Sequence, residues 1–269
     1  MKKQTMPHGK LYKGSEQNVI IVLVRRRFRH EMCRYLVKHG ISAFAMDIDL
    51  PLAKASIDDL EEVCAFLKQT YSQIGLLCFE TYSVYGLYGA TVCPDISLVV
   101  ASLPMDRVFE SLKLGQSMLS YRGEDVPYQS MGMDAQELHH LHHFYSRRFH
   151  HNRYIEVYEF ALLKTEAAGL IDCHQINGDL YLFSSADDVY WNSREACRRI
   201  KKQLIANNFK RRFKHVLYKR GAHDLMPLEV YNRGASLLSH PDQATQGSRQ
   251  DFGEQLEAIL DDWLEAGRF

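Results

Sequence analysis

IGLLCFETY, residues 74–82, joins an apolar strand pattern to a tight turn, and the segment SVYGLYGATVC that follows is compatible with a helix. This order of strand, turn and helix is the setting of a nucleophile elbow, in which the pattern G-x-S-x-G exposes a serine at the turn. Here the five letters are C-F-E-T-Y, so Glu80 stands at the nucleophile position and both glycines are replaced. The stretch predicts the local fold and leaves the activity open.

Two residues far along the chain match the other members of a catalytic triad. Asp188 lies in SSADDVYW and His223 in KRGAHDLMP, with the acid before the histidine. In a triad the acid orients the imidazole and stabilises its charged form, while the histidine acts as general base. An alternative interpretation is a hydrogen-bonded pair that only braces two loops.

The segments around the elbow alternate between strand and helix patterns. VIIVLV, residues 19–24, is a continuous apolar run of the kind found in strands buried on both faces. SIDDLEEVCAFLKQTY predicts an amphipathic helix opened by a capping box of Ser56 with Asp59. Further strands are predicted in ISAFAMDI, ISLVVASLP, GDLYLFSS and FKHVLYKRG. Such alternation predicts an α/β fold with a mostly parallel, doubly wound sheet and right-handed crossovers.

A polar and aromatic excursion interrupts this alternation between about residues 105 and 169. Its position after the central strands is that of a cap-like insertion. The later residues 240–253 have the composition of a polar loop, and EQLEAILDDWLEA after them predicts a final amphipathic helix. Because no repeat or linker is present, residues 1–269 are expected to form one domain.

Composition restricts the possible partners. With 269 residues and 46% apolar side chains, the chain can bury a core without disulfides or metal. A formal net charge of zero argues against nucleic acid as a partner. Six cysteines without C-x-x-C pairs suggest reduced thiols and a cytoplasmic location. No run approaches the roughly 20 apolar residues of a membrane span, no cofactor is expected, and the oligomeric state stays open.

A histidine-rich segment raises the question of metal binding, because paired imidazoles can ligate zinc or nickel. The same pattern is typical of a solvated helix face interleaved with aromatic residues, and no metal site is predicted. The histidines concerned are His139, His140, His142, His143, His150 and His151.

Several segments together resemble the α/β-hydrolase domain shared by acyl-CoA thioesterases and bile acid-CoA:amino acid N-acyltransferase. They are LPLAKASIDDLEEVCAFL, IGLLCFETYSVYGLYGATVCPDISLVV, SYRGEDVPY, INGDLYLFSSADDVYWNS and HVLYKRGAHDL, and the likeness extends from about Gly9 to the end of the chain. The resemblance implies an α/β-hydrolase fold. It also implies a small acyl thioester or ester as substrate, with a coenzyme A moiety among its expected forms.

In this family Asp188 would be the triad acid, His223 the base and Glu80 the residue in place of the nucleophile. Attack by a carboxylate on a thioester would give an anhydride, which is poorly suited to turnover. Glu80 therefore has three open interpretations: a nucleophile, a general base for water, or an ion-pair partner of His223 or of the arginines at residues 25–29. A carboxylate beside histidine would favour imidazolium and so remove the base.

A second departure affects the loop after the first long strand. The family has a glycine-rich loop there, whose amide helps to form an oxyanion hole, whereas this chain has RRRFR at residues 25–29. Loss of one such donor costs about 2.7 to 4 kcal/mol of transition-state stabilisation. Because guanidinium groups match phosphate oxygens, Arg25, Arg26 and Arg27, with Tyr82, are the predicted ligand-binding residues. The alternative is a solvated, charged loop.

Two classes of function follow. One is an acyl-CoA thioesterase or acyltransferase-like hydrolase with Glu80, Asp188 and His223 as its catalytic residues. The other is a catalytically degenerate member that binds a ligand or partner. Ser83 and Cys78 are possible substitute nucleophiles, but the pattern places Ser83 inside the helix and Cys78 on the strand end, away from the elbow.

Overall fold

The structure is a computed structural model. It describes residues 3–15, 17–48, 50, 54–111, 115–134, 136–137, 158–159, 161–163, 168–234 and 243–267. The six histidines considered for metal binding lie outside the described residues.

Strands and helices alternate along most of the described chain. The strands are β1 (Lys3–Met6), β2 (Gly9–Tyr12), β3 (Asn18–Leu23), β4 (Ser42–Met46), β5 (Ala55–Ser56), β6 (Gln73–Phe79), β7 (Ile96–Ser102), β8 (Leu119–Tyr121), β9 (Glu124–Asp125), β10 (Asp179–Ser185) and β11 (Phe213–Tyr218). The helices are α1 (Arg26–Lys38), α2 (Asp58–Leu67), α3 (Tyr82–Val92), α4 (Ser193–Ala206), α5 (Leu228–Gly234) and α6 (Gln243–Ala266).

One eight-stranded sheet organises the fold, with strand order β1-β2-β4-β3-β6-β7-β10-β11. The pairs from β4 to β11 are parallel. Strand β2 is antiparallel to both of its neighbours, β1 and β4. The predicted doubly wound, mostly parallel sheet is confirmed. Because the carboxyl ends of its parallel strands share one edge, the loops after β3, β6, β10 and β11 lie at that edge.

Apolar layers cover both faces of this sheet. In β3 the side chains of Val19, Ile21 and Leu23 belong to one buried cluster, and those of Ile20 and Val22 belong to the other. This is the physical reason for the continuous apolar run: a strand covered on both faces has no solvent side on which to place polar residues.

The excursion between β7 and β10 is described in part. Within it, β8 and β9 form an antiparallel hairpin, and β8 also pairs in parallel with β5 to make a three-stranded sheet. An isolated bridge from Arg107 to Leu170 joins the two ends of the excursion. That the chain forms one domain with a cap-like insertion remains a prediction.

The predicted capping box at the start of α2 is wrong. The helix begins at Asp58, and Ile57 precedes it without a side-chain cap. Instead the Ser56 hydroxyl donates to Asp58 Oδ2 at 2.7 Å and accepts from Asp58 N at 3.2 Å. Ser56 is also part of β5, so its pairing with β8 fixes the position at which the helix can begin.

The polar loop predicted for residues 240–253 is also corrected, because α6 is 24 residues long and begins at Gln243. Its first turns look polar but bury Thr245, Arg249 and Phe252. Tertiary burial overrides the local composition here. None of the described helices is long and apolar enough to span a membrane.

Candidate active site

The turn after β6 has the geometry of an elbow. Glu80 lies between the end of β6 and the start of α3 and adopts φ +54°, a left-handed conformation that is costly for a residue with a side chain. Its backbone N–H donates to Ser102 O at 2.8 Å, and its carbonyl accepts from Ser83 N at 2.9 Å. These hydrogen bonds stabilise the turn although no glycine flanks it.

The glycine that permits close packing of α3 on β6 is Gly86, one helical turn beyond position 82, where the elbow pattern would place it. A Cβ atom added to Gly86 would lie 2.8 Å from Cys78 Sγ and 2.9 Å from Cys78 Cβ. Helix α3 therefore approaches β6 through Gly86, which allows Tyr82 to keep a large side chain at its first turn. The sequence interpretation missed this role, since it compared only the positions next to Glu80.

His223 and Asp188 meet in a buried pair. His223 Nδ1 lies 2.9 Å from Asp188 Oδ1, and Tyr190 N donates to the same oxygen at 3.1 Å. The imidazole stacks on Tyr190 at 4.0 Å between ring centroids and meets the Trp191 ring edge-on at 4.4 Å. His223 Nε2 lies 3.7 Å from Glu80 Oε2 and has no hydrogen-bond partner among the described residues.

The two adjacent aspartates have different roles in this arrangement. Asp187 Oδ1 accepts from the backbone N–H groups of Gly221 and Ala222, each at 3.0 Å. Ala222 has φ +54°, so these bonds hold a strained turn immediately before His223. Asp187 thus positions the histidine loop, while Asp188 contacts the imidazole itself.

Arg249 supports the same loop from α6. Its side chain is buried; Nε donates to Asp224 O at 3.0 Å, and the guanidinium lies 3.7 Å from the centroid of the Tyr231 ring. Asp224 is the residue after His223, so α6 fixes the backbone that carries the base. No local pattern indicates this contact, because Arg249 falls in the stretch interpreted as a polar loop.

The side chain of Arg25, which lies in the loop after β3, also contacts Glu80 at the elbow. Its Nε lies 2.5 Å from Glu80 Oε2, and its Nη1 lies 3.5 Å from Asp224 Oδ1. Arg27 Nη2 contacts the other oxygen of Asp224 at 3.3 Å. We call these four residues, Arg25, Arg27, Glu80 and Asp224, the elbow cluster. Glu80 Oε2 therefore contacts the guanidinium of Arg25 and also lies 3.7 Å from His223 Nε2.

The two carboxyl groups of the elbow cluster differ in proton affinity. Burial raises the pKa of Glu80 well above its ordinary value; Arg25 lowers it less, and the nearby Asp224 raises it further. Burial also acts to raise the pKa of Asp224, but the interaction with Glu80 and the electrostatic interactions with Arg25, His223 and Arg27 outweigh burial, so the net shift is downward. The elbow cluster therefore favours a proton on Glu80 and an ionised Asp224.

This arrangement predicts a pH-dependent stability. The folded state keeps a proton on Glu80 that the unfolded chain releases near the ordinary pKa of 4.5, so unfolding free energy falls as the pH rises from about 4.5 toward the raised pKa. Each pKa unit corresponds to about 1.4 kcal/mol. In thermal melts from pH 4.5 to 8, the wild type should lose stability relative to Glu80→Gln, which does not titrate. Parallel curves for the two proteins would contradict this, and the exposed Glu265→Gln serves as the control.

The loop between β3 and α1 consists only of Val24 and Arg25. Arg25 has φ −49° and ψ 138° and makes no side-chain cap on α1, since its guanidinium lies in the elbow cluster. Where the family resemblance implies a glycine-rich oxyanion loop, this chain has a short connection with one long cationic side chain directed at Glu80.

The predicted ligand-binding residues separate into two groups. Arg25 and Arg27 belong to the elbow cluster. Arg26 and Tyr82 instead line a cleft of about 560 Å³ between α1, β2 and β4. No ion pair or hydrogen bond joins the side chain of Arg26 to another of the described residues.

Neither substitute nucleophile is exposed. Ser83 is buried in α3 and its Oγ accepts from Met105 N at 3.3 Å. Cys78 is buried at the end of β6, where its thiol lies 3.6 Å from Val100 O and burial raises its pKa. A buried thiol of raised pKa is the unreactive form of cysteine.

The strand order, the elbow and the His223–Asp188 pair together define an α/β-hydrolase fold, and solved structures agree. A Pyrococcus furiosus esterase, Pf2001, superimposes with a TM-score of 0.57 at 12% identity, covering 96% of this chain and 85% of its own. A sugar hydrolase, YeeB, from Lactococcus lactis gives 0.57 at 10% identity and covers 99% of each chain. At these identities the likeness concerns the fold.

The family follows from the sequence match. A family model described as "BAAT / Acyl-CoA thioester hydrolase C terminal" matches residues 61–229, which is more than half of the chain. The chain belongs to this family. No curated protein matches it.

Proposed function

We propose that this chain is a catalytically degenerate α/β hydrolase that binds a small acyl thioester or ester without consuming it. The observation that carries the proposal is the 2.5 Å contact between Arg25 Nε and Glu80 Oε2. The oxygen that would have to attack a substrate is the one held by the guanidinium.

The state of Glu80 is unsuited to nucleophilic attack. A carboxylate nucleophile must be ionised and must reach the substrate carbonyl. Glu80 is only 2% exposed, and its pKa is raised mainly by burial. To react, the side chain would have to lose both its proton and its contact with Arg25, which would leave buried charges without partners.

Ligand binding is supported by two features that do not depend on Glu80. Family membership favours an acyl thioester, with a coenzyme A moiety among its forms, and the open cleft beside Tyr82 is in the size range of small-molecule sites. A cytoplasmic location remains a prediction from the cysteines.

Thermal scanning with short-chain and long-chain acyl-CoA tests this proposal. A ligand that binds only the folded state at about 100 times its dissociation constant adds about 2.7 kcal/mol of stability. We expect a rise in melting temperature with at least one acyl-CoA, together with chromatographic recovery of the intact thioester. The absence of any stabilisation, or conversion of the thioester at a rate that His223→Ala abolishes, would contradict it.

A second candidate function, a carboxylate-dependent hydrolase, is favoured by the 2.9 Å contact of His223 Nδ1 with Asp188. In that reaction ionised Glu80 would displace the thiolate to form an anhydride, and His223 would then take a proton from the water that hydrolyses it. Water attack on the Glu80 carbonyl of the anhydride places the water oxygen in Glu80, whereas attack on the acyl carbonyl places it in the released acid. Single turnover in ¹⁸O-water therefore tests this candidate: label in the peptide that contains Glu80, or in acid released at a rate that His223→Ala abolishes, supports the hydrolase, and the degenerate protein should give neither.

A further inference from the structure

The cleft that contains Arg26 and Tyr82 is distinct from the elbow cluster. Its volume is about 560 Å³, and its described walls come from β2, the end of β4 and the first turns of α1 and α3. The cationic residues in these walls are Lys10, Arg26 and Arg29, and the one carboxylate among the described lining residues is Asp47.

Helix α1 contributes an unusual amino-terminal end to this cleft. Its first turn has no acidic residue and no side-chain cap, although the helix dipole favours negative charge there. Arg26 and Arg29 are three residues apart and lie on the same helix face. Positive side chains beside the positive end of the helix dipole are electrostatically unfavourable. A bound anion would relieve this repulsion and accept from first-turn N–H groups other than that of Phe28, which donates to Arg25 O at 2.9 Å.

The charges of the cleft are only partly compensated. Arg29 is paired with Asp47. Arg26 and Lys10 have no ion-pair partner among the described residues. Lys10 lies opposite Ala45 in the β2–β4 register, so it faces α1 across the cleft. Two uncompensated cations on opposite walls match a group that carries two negative charges.

We propose that this cleft binds the phosphoryl group of a small molecule between Arg26 and Lys10, with the amino-terminal end of α1 as a third donor. A phosphate ester carries close to two negative charges and three acceptor oxygens at neutral pH. Tyr12 and Tyr82 in the walls offer aromatic surface for the rest of the ligand. The inference rests on the proposed function in that the same cleft supports ligand binding there, and it adds the chemical group that the cleft recognises, argued from the charges of the cleft and not from the state of Glu80.

Calorimetric titration tests the site with inorganic phosphate, phenyl phosphate and 3′,5′-adenosine bisphosphate. The first two probes distinguish the free ion from an ester with an attached ring, and the third tests a nucleotide source. We expect saturable binding of at least one probe. Arg26→Ala and Lys10→Ala should each raise the dissociation constant at least about tenfold, as expected for loss of a charge-assisted hydrogen bond.

Matched variants and a control ligand distinguish a specific phosphate site from nonspecific electrostatic attraction. Lys202→Ala removes one positive charge from an exposed position on α4 and should leave the dissociation constant unchanged. Succinate, a dianion without the phosphate geometry, should bind more weakly than the best phosphate probe. Equal effects of Lys202→Ala and Arg26→Ala, equal binding of succinate, or no binding by a folded wild type would overturn the inference. Acyl-CoA turnover by the wild type would refute the proposed function but not the phosphate site.

Discussion

Replacing Arg25 with alanine is expected to lower the unfolding free energy by about 3 kcal/mol. The change removes a hydrogen bond from the guanidinium to the buried carboxyl of Glu80 and one of the two arginines beside the ionised Asp224. A hydrogen bond to a charged group contributes about 1.5 to 3 kcal/mol. The upper end applies because Glu80 is 2% exposed, although the Arg25 side chain is 36% exposed. Urea denaturation at neutral pH measures the change.

A double-mutant cycle identifies the cause of this loss. Glu80→Gln in the Arg25→Ala background should restore part of the stability, since without Arg25 the buried carboxyl is harder to ionise and must bind a proton at neutral pH, which the amide avoids. Arg198→Ala breaks an exposed pair with Glu195 and should change stability by no more than about 0.5 kcal/mol. If Arg25→Ala lowered the unfolding free energy as little as Arg198→Ala, the contact between Arg25 and Glu80 would make no measurable contribution to stability.

The double variant Glu80→Ser with Arg25→Gly is expected to gain thioester hydrolysis, at least about 100-fold above the wild type. Serine at the elbow would face His223 Nε2, which lacks a hydrogen-bond partner among the described residues while Asp188 holds Nδ1. Arg25→Gly removes the side chain above the turn and restores the residue type of an oxyanion loop. One oxyanion donor is worth about 100- to 1000-fold in rate. Release of free thiol from acyl-CoA measures the gain.

Single variants and a triple variant control this experiment. Glu80→Ser alone should gain less, because Arg25 would keep Asp224 as its partner and stay near the elbow. Adding His223→Ala to the double variant should abolish the gain. An inactive but folded double variant would mean that the histidine and the elbow no longer form a working catalytic geometry.

Much of the fold could be predicted from local patterns. Continuous apolar runs such as VIIVLV predict strands covered on both faces, and the structure places alternate residues of β3 in two buried layers. The start of helix α6 could not be predicted in this way, since Thr245 and Arg249 are polar residues that tertiary contacts bury. The hairpin of β1 and β2 was also missed, because short edge strands give little periodicity.

The site was predictable in its residue types and only partly in its contacts. Sequence order pointed to Glu80, Asp188 and His223, which the structure brings to one edge of the sheet. It did not point to Asp224, whose role depends on two arginines almost 200 positions away in the chain. Nor could it separate Arg25 from Arg26, since adjacent residues at a helix start point in different directions.

The most direct test of the central claim is the steady-state release of thiol from acyl-CoA by the wild type, Glu80→Gln and His223→Ala. If Arg25 and burial hold Glu80 in an unreactive state, all three proteins should release thiol at the same background rate. Wild-type turnover that disappears in both Glu80→Gln and His223→Ala would contradict this account and assign the chain to carboxylate-dependent hydrolases.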